Sequence, residues 1–443
     1  MMAAAPTNRE ATWAQAQRLR EDGRIEAAAD AVIALWQQVR NDRAGALATI
    51  EFLKECGAHQ RAFPVARDAR TRWPHDARIA AEAGEIALAL GHFDEAAVAL
   101  REAIDLDPKQ GAAWLRLAYC RRFVEDDADV QRFRGGWSDP GLDEAARICA
   151  GFALGKALDD LGDCRQAAQV LTQANARARR TANWHIETWQ RFVDAQLNAP
   201  ALPTLPPDPT FTPIFVVGMP RSGTTLVAST LARRTEVRDR GELNWIPALH
   251  ALLREQGQLR NPQALAAIAG VIRAQMRRDD APARFYLDKN PLNFRYLDFI
   301  AACFPNAKIV HCRRSARDTA LSIWMQHFAH EDLGFAYDFA AIAEVGKGCD
   351  ALMTHWRARL PLAILDVDYE RFVAEPQAQR HRLDEFLDLP TRKDNEVADN
   401  NAQSITTASV WQVRQPVYTH AVERWRGYAP YLPELTALFP EPA

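Results

Sequence analysis

The sequence predicts an α + α/β chain: an all-helical N-terminal half followed by an α/β domain with a parallel sheet. Three observations carry that prediction. Residues 9–190 are rich in Ala, Leu, Arg, Glu and Gln, all good helix formers, and show no convincing alternating strand pattern. Gly23, Gly57 and Gly91 recur at a 34-residue interval, and Ala28, Ala62 and Ala96 keep the same step. Further on, the apolar run Ile214, Phe215, Val216, Val217 stops at a glycine-bearing turn and continues as a helical pattern. Lys308–Cys312 and the segment LAILDVDYERF read as two further strands, which with their helices choose α/β without fixing the strand order.

The helical half has internal periodicity. Trp73-Pro74 and Asp107-Pro108 are again 34 residues apart. A small residue where paired helices cross and a proline closing each unit make the tetratricopeptide pattern. Its clearest unit is Ala77–Pro108, with one helix up to Leu90, a turn at Gly91-His92 and a second helix through FDEAAVALREAIDL. Residues 111–124 begin another unit. VEDDADVQRFRGGWSDPGL, with its acids, paired glycines and Asp139-Pro140, then predicts a loop or irregular insertion. A second pair spans 143–180 and turns at Gly162-Asp163; Lys156 within it is assigned to a solvated helix face. Such arrays leave a concave surface, which suits a peptide or protein partner or a sister subunit in a homodimer. Six prolines in 199–213 predict a stiff connector. The expected division is therefore 9–198 for the repeats, 199–210 for the linker and 211–443 for the α/β domain.

Composition narrows the function classes. A formal net charge of −3 over 443 residues gives no general attraction to nucleic acid or membrane surfaces. No apolar run approaches a membrane span, and the N-terminal MMAAAPTNRE lacks a cationic-then-apolar leader, so cytoplasmic residence is expected. Seven scattered cysteines lack the clustering of a zinc site and read as buried thiols.

The turn after Val217 is the functional centre of the reading. Gly218, Met219, Pro220, Arg221, Ser222 and Gly223 lead into Thr224-Thr225 with Walker A spacing, G-x-x-x-x-G-x-[ST], but Thr224 holds the lysine position. A strand, a glycine turn and a helix N-terminus present free N–H groups to an anion. Arg221 places a planar cation within the loop, suited to gripping a phosphate or sulfate. A second strand-to-helix turn, IVHCRRSARDTALSIW, carries Arg314 and Ser322. Two such strand ends imply a ligand with separated anionic groups, whereas ATP would call for the missing lysine and an acidic magnesium ligand.

PRSGTT resembles the 5′-phosphosulfate loop of sulfotransferases that use 3′-phosphoadenosine 5′-phosphosulfate (PAPS). The chain as a whole is similar to bacterial sulfotransferases that carry tetratricopeptide repeats, with a catalytic domain resembling the tyrosylprotein sulfotransferases. This implies that Pro220, Arg221, Ser222, Gly223, Thr224 and Thr225 bind the 5′-phosphosulfate. Arg314 and Ser322 would take the 3′-phosphate, with Tyr369 of DYE packing near the nucleotide. The family commonly has an acid after the first arginine, where Ser315 stands, and Arg317 matches a further arginine. Glu242, preceded by Gly241, resembles the family's catalytic base. Lys289 of YLDKNP resembles the lysine on the bridging oxygen, and Ser409 resembles a serine near the sulfuryl group. Gln415 stands where relatives carry a lysine, and the neighbouring Arg414 would replace that charge toward the cofactor.

Glu242 competes with His250, His311, His327 and His330 for the base role, and Asp366 and Asp368 read as structural. Leu243, Asn244 and Trp245 follow Glu242 where the family carries basic residues for an acidic peptide. No metal is required, since arginine and lysine supply the charge. WRGY near the C-terminus is expected to pack onto the sheet. The implied activity is sulfuryl transfer from PAPS to a hydroxyl, releasing 3′,5′-ADP, with peptide or protein tyrosine as the leading acceptor. A carbohydrate or small-molecule hydroxyl is the alternative acceptor, and a non-catalytic repeat adaptor the alternative class.

Overall fold

Helix-forming composition is realised as paired helices along the first half. The computed structural model describes residues 8–328, 330–390 and 421–440. The first pairs are α1 (Asn8–Glu21) with α2 (Ile25–Gln38), α3 (Arg43–Glu55) with α4 (His59–Arg72), and α5 (Ala77–Leu90) with α6 (Phe93–Leu106). The glycine period marks the turn inside each pair: Gly23, Gly57 and Gly91 have φ of 74°, 70° and 83°, in the left-handed region that glycine enters without a Cβ penalty. The alanine period marks the crossings, where Ala28, Ala62 and Ala96 are fully buried.

The array continues through the stretch expected to be irregular. After α7 (Gly111–Tyr119) comes α8 (Ala128–Ser138), a helix within VEDDADVQRFRGGWSDPGL. Asp127 caps it by accepting from Asp129 N at 2.9 Å, and Val130 and Phe133 are buried. The glycine pair does not break it. A Cβ on Gly136 would come within 2.7 Å of the Trp114 ring, so glycine there permits close packing at some cost in propensity. A further pair, α9 (Glu144–Asp160) and α10 (Cys164–Thr181), and then α11 (Ile186–Asn198) complete the helical half.

Among the described residues of the second half, five strands form a parallel sheet: β1 (Thr212–Gly218), β2 (Val237–Asp239), β3 (Phe285–Asp288), β4 (Lys308–Arg313) and β5 (Ala363–Asp368), in the order β2-β3-β1-β4-β5. Sequence patterning finds three of them. β2 and β3 have three and four residues, too short to show a period. Helices α12 (Thr224–Leu231), α13 (Trp245–Glu255), α14 (Pro262–Arg277), α15 (Leu297–Cys303), α16 (Ala316–Trp324), α17 (Phe339–Arg359), α18 (Tyr369–Ala374) and α19 (Pro376–Phe386) surround the sheet.

One apolar core runs from the helical half into the sheet, joining Leu117, Phe152 and Leu171 with Phe215, Val217 and Ile309. Both ends of the helical array are tied to the α/β half. At the first end, Gln275 Nε2 donates to the carbonyls of Arg20 and Glu21 at 2.7 and 2.9 Å. The Asp279 carboxylate caps α2 by accepting from Glu26 N and Ala27 N at 2.7 and 3.0 Å. At the other end, Asn175 Nδ2 donates to Trp324 O at 3.0 Å, and Trp189 Nε1 to Glu344 O at 3.2 Å. The proline-rich segment lies against this body, with Leu205 N donating to Ala302 O at 2.9 Å.

The WRGY segment does not rest on the sheet. Trp425 stacks under the Arg317 guanidinium at 4.3 Å, and Tyr428 donates to Asp159 of α9 at 2.6 Å, so the segment bridges α16 and the helical array. Buried Asp318 fixes it by accepting from Glu423 N and Trp425 N at 2.8 and 3.0 Å. Six cysteines are buried and Cys164 half-buried, all as free thiols. Among the described residues no helix is long and apolar enough to cross a membrane.

A shared core makes the halves interdependent. The fragment 199–443 should lack a cooperative thermal transition by calorimetry and a native near-UV circular dichroism signal, both of which the full chain should show. A sharp transition in the fragment would contradict this.

Candidate functional site

β1 must end in glycine for the site to exist. Gly218 has φ of 142°, and a Cβ there would fall 2.4 Å from the Cys312 carbonyl of neighbouring β4. The chain then turns through Met219–Gly223, with Arg221 held at φ of 67° and Gly223 at 98°. A Cβ on Gly223 would lie 2.7 Å from the Tyr369 ring, so this glycine admits the ring beside the start of α12. The first-turn N–H groups of α12, at Thr224 and Thr225, have no partner within the helix and face the cavity edge.

The two arginine turns meet. Arg221 Nε donates to Ser322 Oγ of α16 at 3.1 Å, and Arg314 donates to the Arg221 carbonyl at 3.1 Å. Arg314 also lies 4.7 Å above the Tyr369 ring and donates to Ala421 O at 2.5 Å. Pro220, Arg221, Gly223, Thr224, Thr225, Arg314, Ser322 and Tyr369 all border one cavity of about 1500 Å³. Ser222 is 2% exposed beneath the loop, and its hydroxyl has no hydrogen-bond partner among the described residues. Arg317 turns away and donates to Phe439 O at 2.7 Å. Ser409 and Arg414 lie outside the described residues.

Glu242 borders the same cavity on a loop zipped to the end of β3. Lys289 N donates to Gly241 O at 2.8 Å, Leu243 N to Asp288 Oδ1 at 3.1 Å, and Asn290 Nδ2 to Leu243 O at 3.1 Å. Lys289 is buried, and its ammonium forms an ion pair with Glu242 rather than reaching the cavity surface itself. Behind it, Asn293 Nδ2 donates to Asp288 Oδ2 at 3.0 Å, and burial pushes the Asp288 carboxyl up to about 8. Asn293 Oδ1 is buried without a partner, so turning that amide would offer an acceptor to the protonated acid.

The competing histidines are less suited to the base role. His250 packs between Tyr296 and Phe299 at 4.7 and 5.5 Å, and burial lowers it to about 4. His311 bonds Asp366 at 2.8 Å, in keeping with a structural role for that aspartate. His327 and His330 do border the cavity; burial lowers His327 to about 4, which makes it a weak base. Among the described residues no group of three or more His, Cys, Asp or Glu could hold a metal ion.

Sequence reasoning missed an entire wall. Glu85 and Leu88 of α5, with Leu115, Arg116 and Tyr119 of α7, border the same cavity as Glu242. Arg116 pairs with Glu85 at 2.8 Å, and Tyr119 donates to Gln326 at 2.7 Å, just beyond α16. Helical periodicity identifies inward faces but not which one meets a distant domain. Lys156 is corrected as well. It is not solvated: its ammonium contacts the Arg121 carbonyl and Asp160, lies 4.7 Å over the Phe123 ring, and is shifted down by burial.

Asp288 gives the site a pH signature. Its value in the folded chain lies above that in the unfolded chain, so its contribution to stability is full below about pH 4 and is lost as pH rises towards about 8. Asp288→Asn should flatten that decline in urea midpoints measured between pH 4 and 8. An unchanged slope would assign the decline to other groups.

Residues 213–394 match the Sulfotransferase family. An uncharacterized protein of Aquifex aeolicus (strain VF5) is 28% identical over 418 residues, covering 88% of this chain and 54% of that protein. Protein-tyrosine sulfotransferase A of Caenorhabditis elegans is 27% identical over 246 residues, covering 49% of this chain and 62% of that protein. The chain thus spans between half and two thirds of the length of these relatives. Sulfotransferase STF9 from Mycobacterium avium aligns over 75% of this chain and 95% of its own, at 14% identity and a TM-score of 0.34. The α/β half, with its glycine-bearing loop and paired arginine turns, thus contains the stretch that matches the Sulfotransferase family, and about half of the chain is similar to protein-tyrosine sulfotransferases.

Proposed function

We propose that the cavity transfers a sulfuryl group from PAPS to an acceptor hydroxyl, with a tyrosyl side chain as the leading acceptor. The observation that carries this reading is the meeting of Arg221 and Arg314, from adjacent strand ends, in one cavity with Glu242. The helix pairs are read as tetratricopeptide-type repeats and the Gly218–Thr225 turn as a phosphate-binding P-loop. The residues present fit the donor: no Cβ crowds Gly218 or Gly223, α12 offers its first-turn N–H groups, and Arg314 Nε is buried without a partner among the described residues. When bound, PAPS supplies an activated sulfuryl group on a phosphate leaving group.

Each residue then has a physical task. Arg221, Thr224, Thr225 and the loop backbone would hold the 5′-phosphosulfate, the arginine fork neutralising its oxygens. Arg314 and Ser322 would hold the 3′-phosphate, with Tyr369 fixing the guanidinium plane from below. Glu242 takes the proton from the acceptor oxygen. Lys289 holds that carboxylate in place and brings positive charge beside the reacting centre. Arginine and lysine thereby do the electrostatic work, and the repeat wall faces the incoming acceptor. The array is a surface for a peptide or protein partner, and a second copy of the chain is a further partner for its outer face.

Two variants test the assignment. Glu242→Gln should lower kcat by roughly 10²–10⁴ while leaving 3′,5′-ADP affinity nearly intact in calorimetric titration; an equal loss of both would make Glu242 structural. Arg314→Ala should weaken 3′,5′-ADP by about 10–100-fold with little effect on 5′-AMP. Equal weakening of both nucleotides would displace the 3′ site, and a wild-type protein that binds neither PAPS nor 3′,5′-ADP would leave the adaptor reading standing.

A further inference from the structure

The cations in and around the cavity are held in two different ways. One set is matched to carboxylates: Arg116 to Glu85, which also holds Lys54, and Arg295 to Asp332, the two arginine pairs each at 2.8 Å, with buried Lys289 matched to Glu242 beneath the surface. Lys156, further along the wall, is matched to Asp160. Arg314 contrasts with these. Carbonyl oxygens and the Tyr369 ring hold it, with no carboxylate seen on it among the described residues, and its charge stays available to an anion.

Apolar side chains border the same cavity: Leu88 and Leu115 from the helical wall, with Phe328 and Leu333. Arg122, also on its border, is exposed, so water screens its charge. The wall is firmly placed, because the array carrying it is tied to the α/β half at both ends and Tyr119 bonds Gln326 across the gap.

We propose that the charge-matched lining of the cavity selects an uncharged hydroxyl acceptor, and that the Glu85–Arg116 pair on α5 and α7 enforces the selection. This deepens the sulfuryl-transfer reading and rests on it. A neutral hydroxyl can accept from a guanidinium and donate to the carboxylate of the same pair. The neighbouring apolar surface takes its carbon body. An acidic segment at these pairs would lose water beside Glu85, Asp332 and Glu242, where the cations present are already matched. Leu243, Asn244 and Trp245 agree with this, since the loop after Glu242 adds no positive charge.

Two capped peptides test the proposal on the full-length protein saturated with 3′,5′-ADP: Gly-Ser-Tyr-Ser-Gly and Asp-Asp-Tyr-Asp-Asp. Calorimetric titration should show the neutral peptide binding about tenfold more tightly or better. Glu85→Gln uncovers Arg116 and should narrow that ratio by about fivefold or more. An unchanged 3′,5′-ADP affinity in the variant would show that the donor half is still folded. Equal or tighter binding of the acidic peptide, a ratio indifferent to Glu85→Gln, or no binding of either peptide overturns the proposal. Failure of the wild-type protein to bind 3′,5′-ADP strikes the sulfuryl-transfer reading instead, and the same peptides then test the charge preference on the free protein.

Discussion

The close approach of β1 to β4 is the constraint on which the site depends. Parallel pairing sets Gly218 opposite Cys312, so the two chains leave the sheet side by side, each into a turn bearing arginine. A side chain at 218 would strike the Cys312 carbonyl and force the strand ends apart. With hydrogen there, Arg314 reaches the Arg221 backbone and Ser322 reaches its side chain. Turns 93 residues apart in sequence become one anion-binding surface. A parallel sheet offers such positions at the carboxyl ends of its strands, where helix N-termini converge.

Charge is distributed accordingly. Arg314, on the proposed donor side, is held by carbonyls and an aromatic face. Arg116 and Arg295, on the proposed acceptor side, are held by carboxylates. The first arrangement favours a multiply charged anion, while the second presents donors and acceptors of hydrogen bonds without net charge. Glu242 stands at the boundary, kept in place by Lys289 and by backbone bonds to the end of β3.

Much of this was legible in the sequence, for local reasons. Periodic glycines and alanines announced the helix pairs because a left-handed turn and a close crossing each restrict residue choice at one position. The strand-to-loop-to-helix turn was legible because Gly218, Arg221 and Gly223 are demanded locally. What escaped was set by distant partners. Gly135-Gly136 looked like a break until Trp114 was seen filling the space beside it. Lys156 looked solvated because helical patterning cannot show that Phe123 and Asp160 enclose it. The repeat wall was invisible for the same reason, since Tyr119 meets Gln326 across 207 residues of chain.

The cap on α2 has a consequence for biogenesis. Asp279 supplies it, and it lies 253 residues downstream of Glu26. At ordinary elongation rates the ribosome reaches that aspartate roughly 10–50 s after making the helix it serves. Until then the amino-terminal helices emerge with an unfinished end and an uncovered flank. Completion of that end of the array awaits the segment just after α14, which carries Asp279.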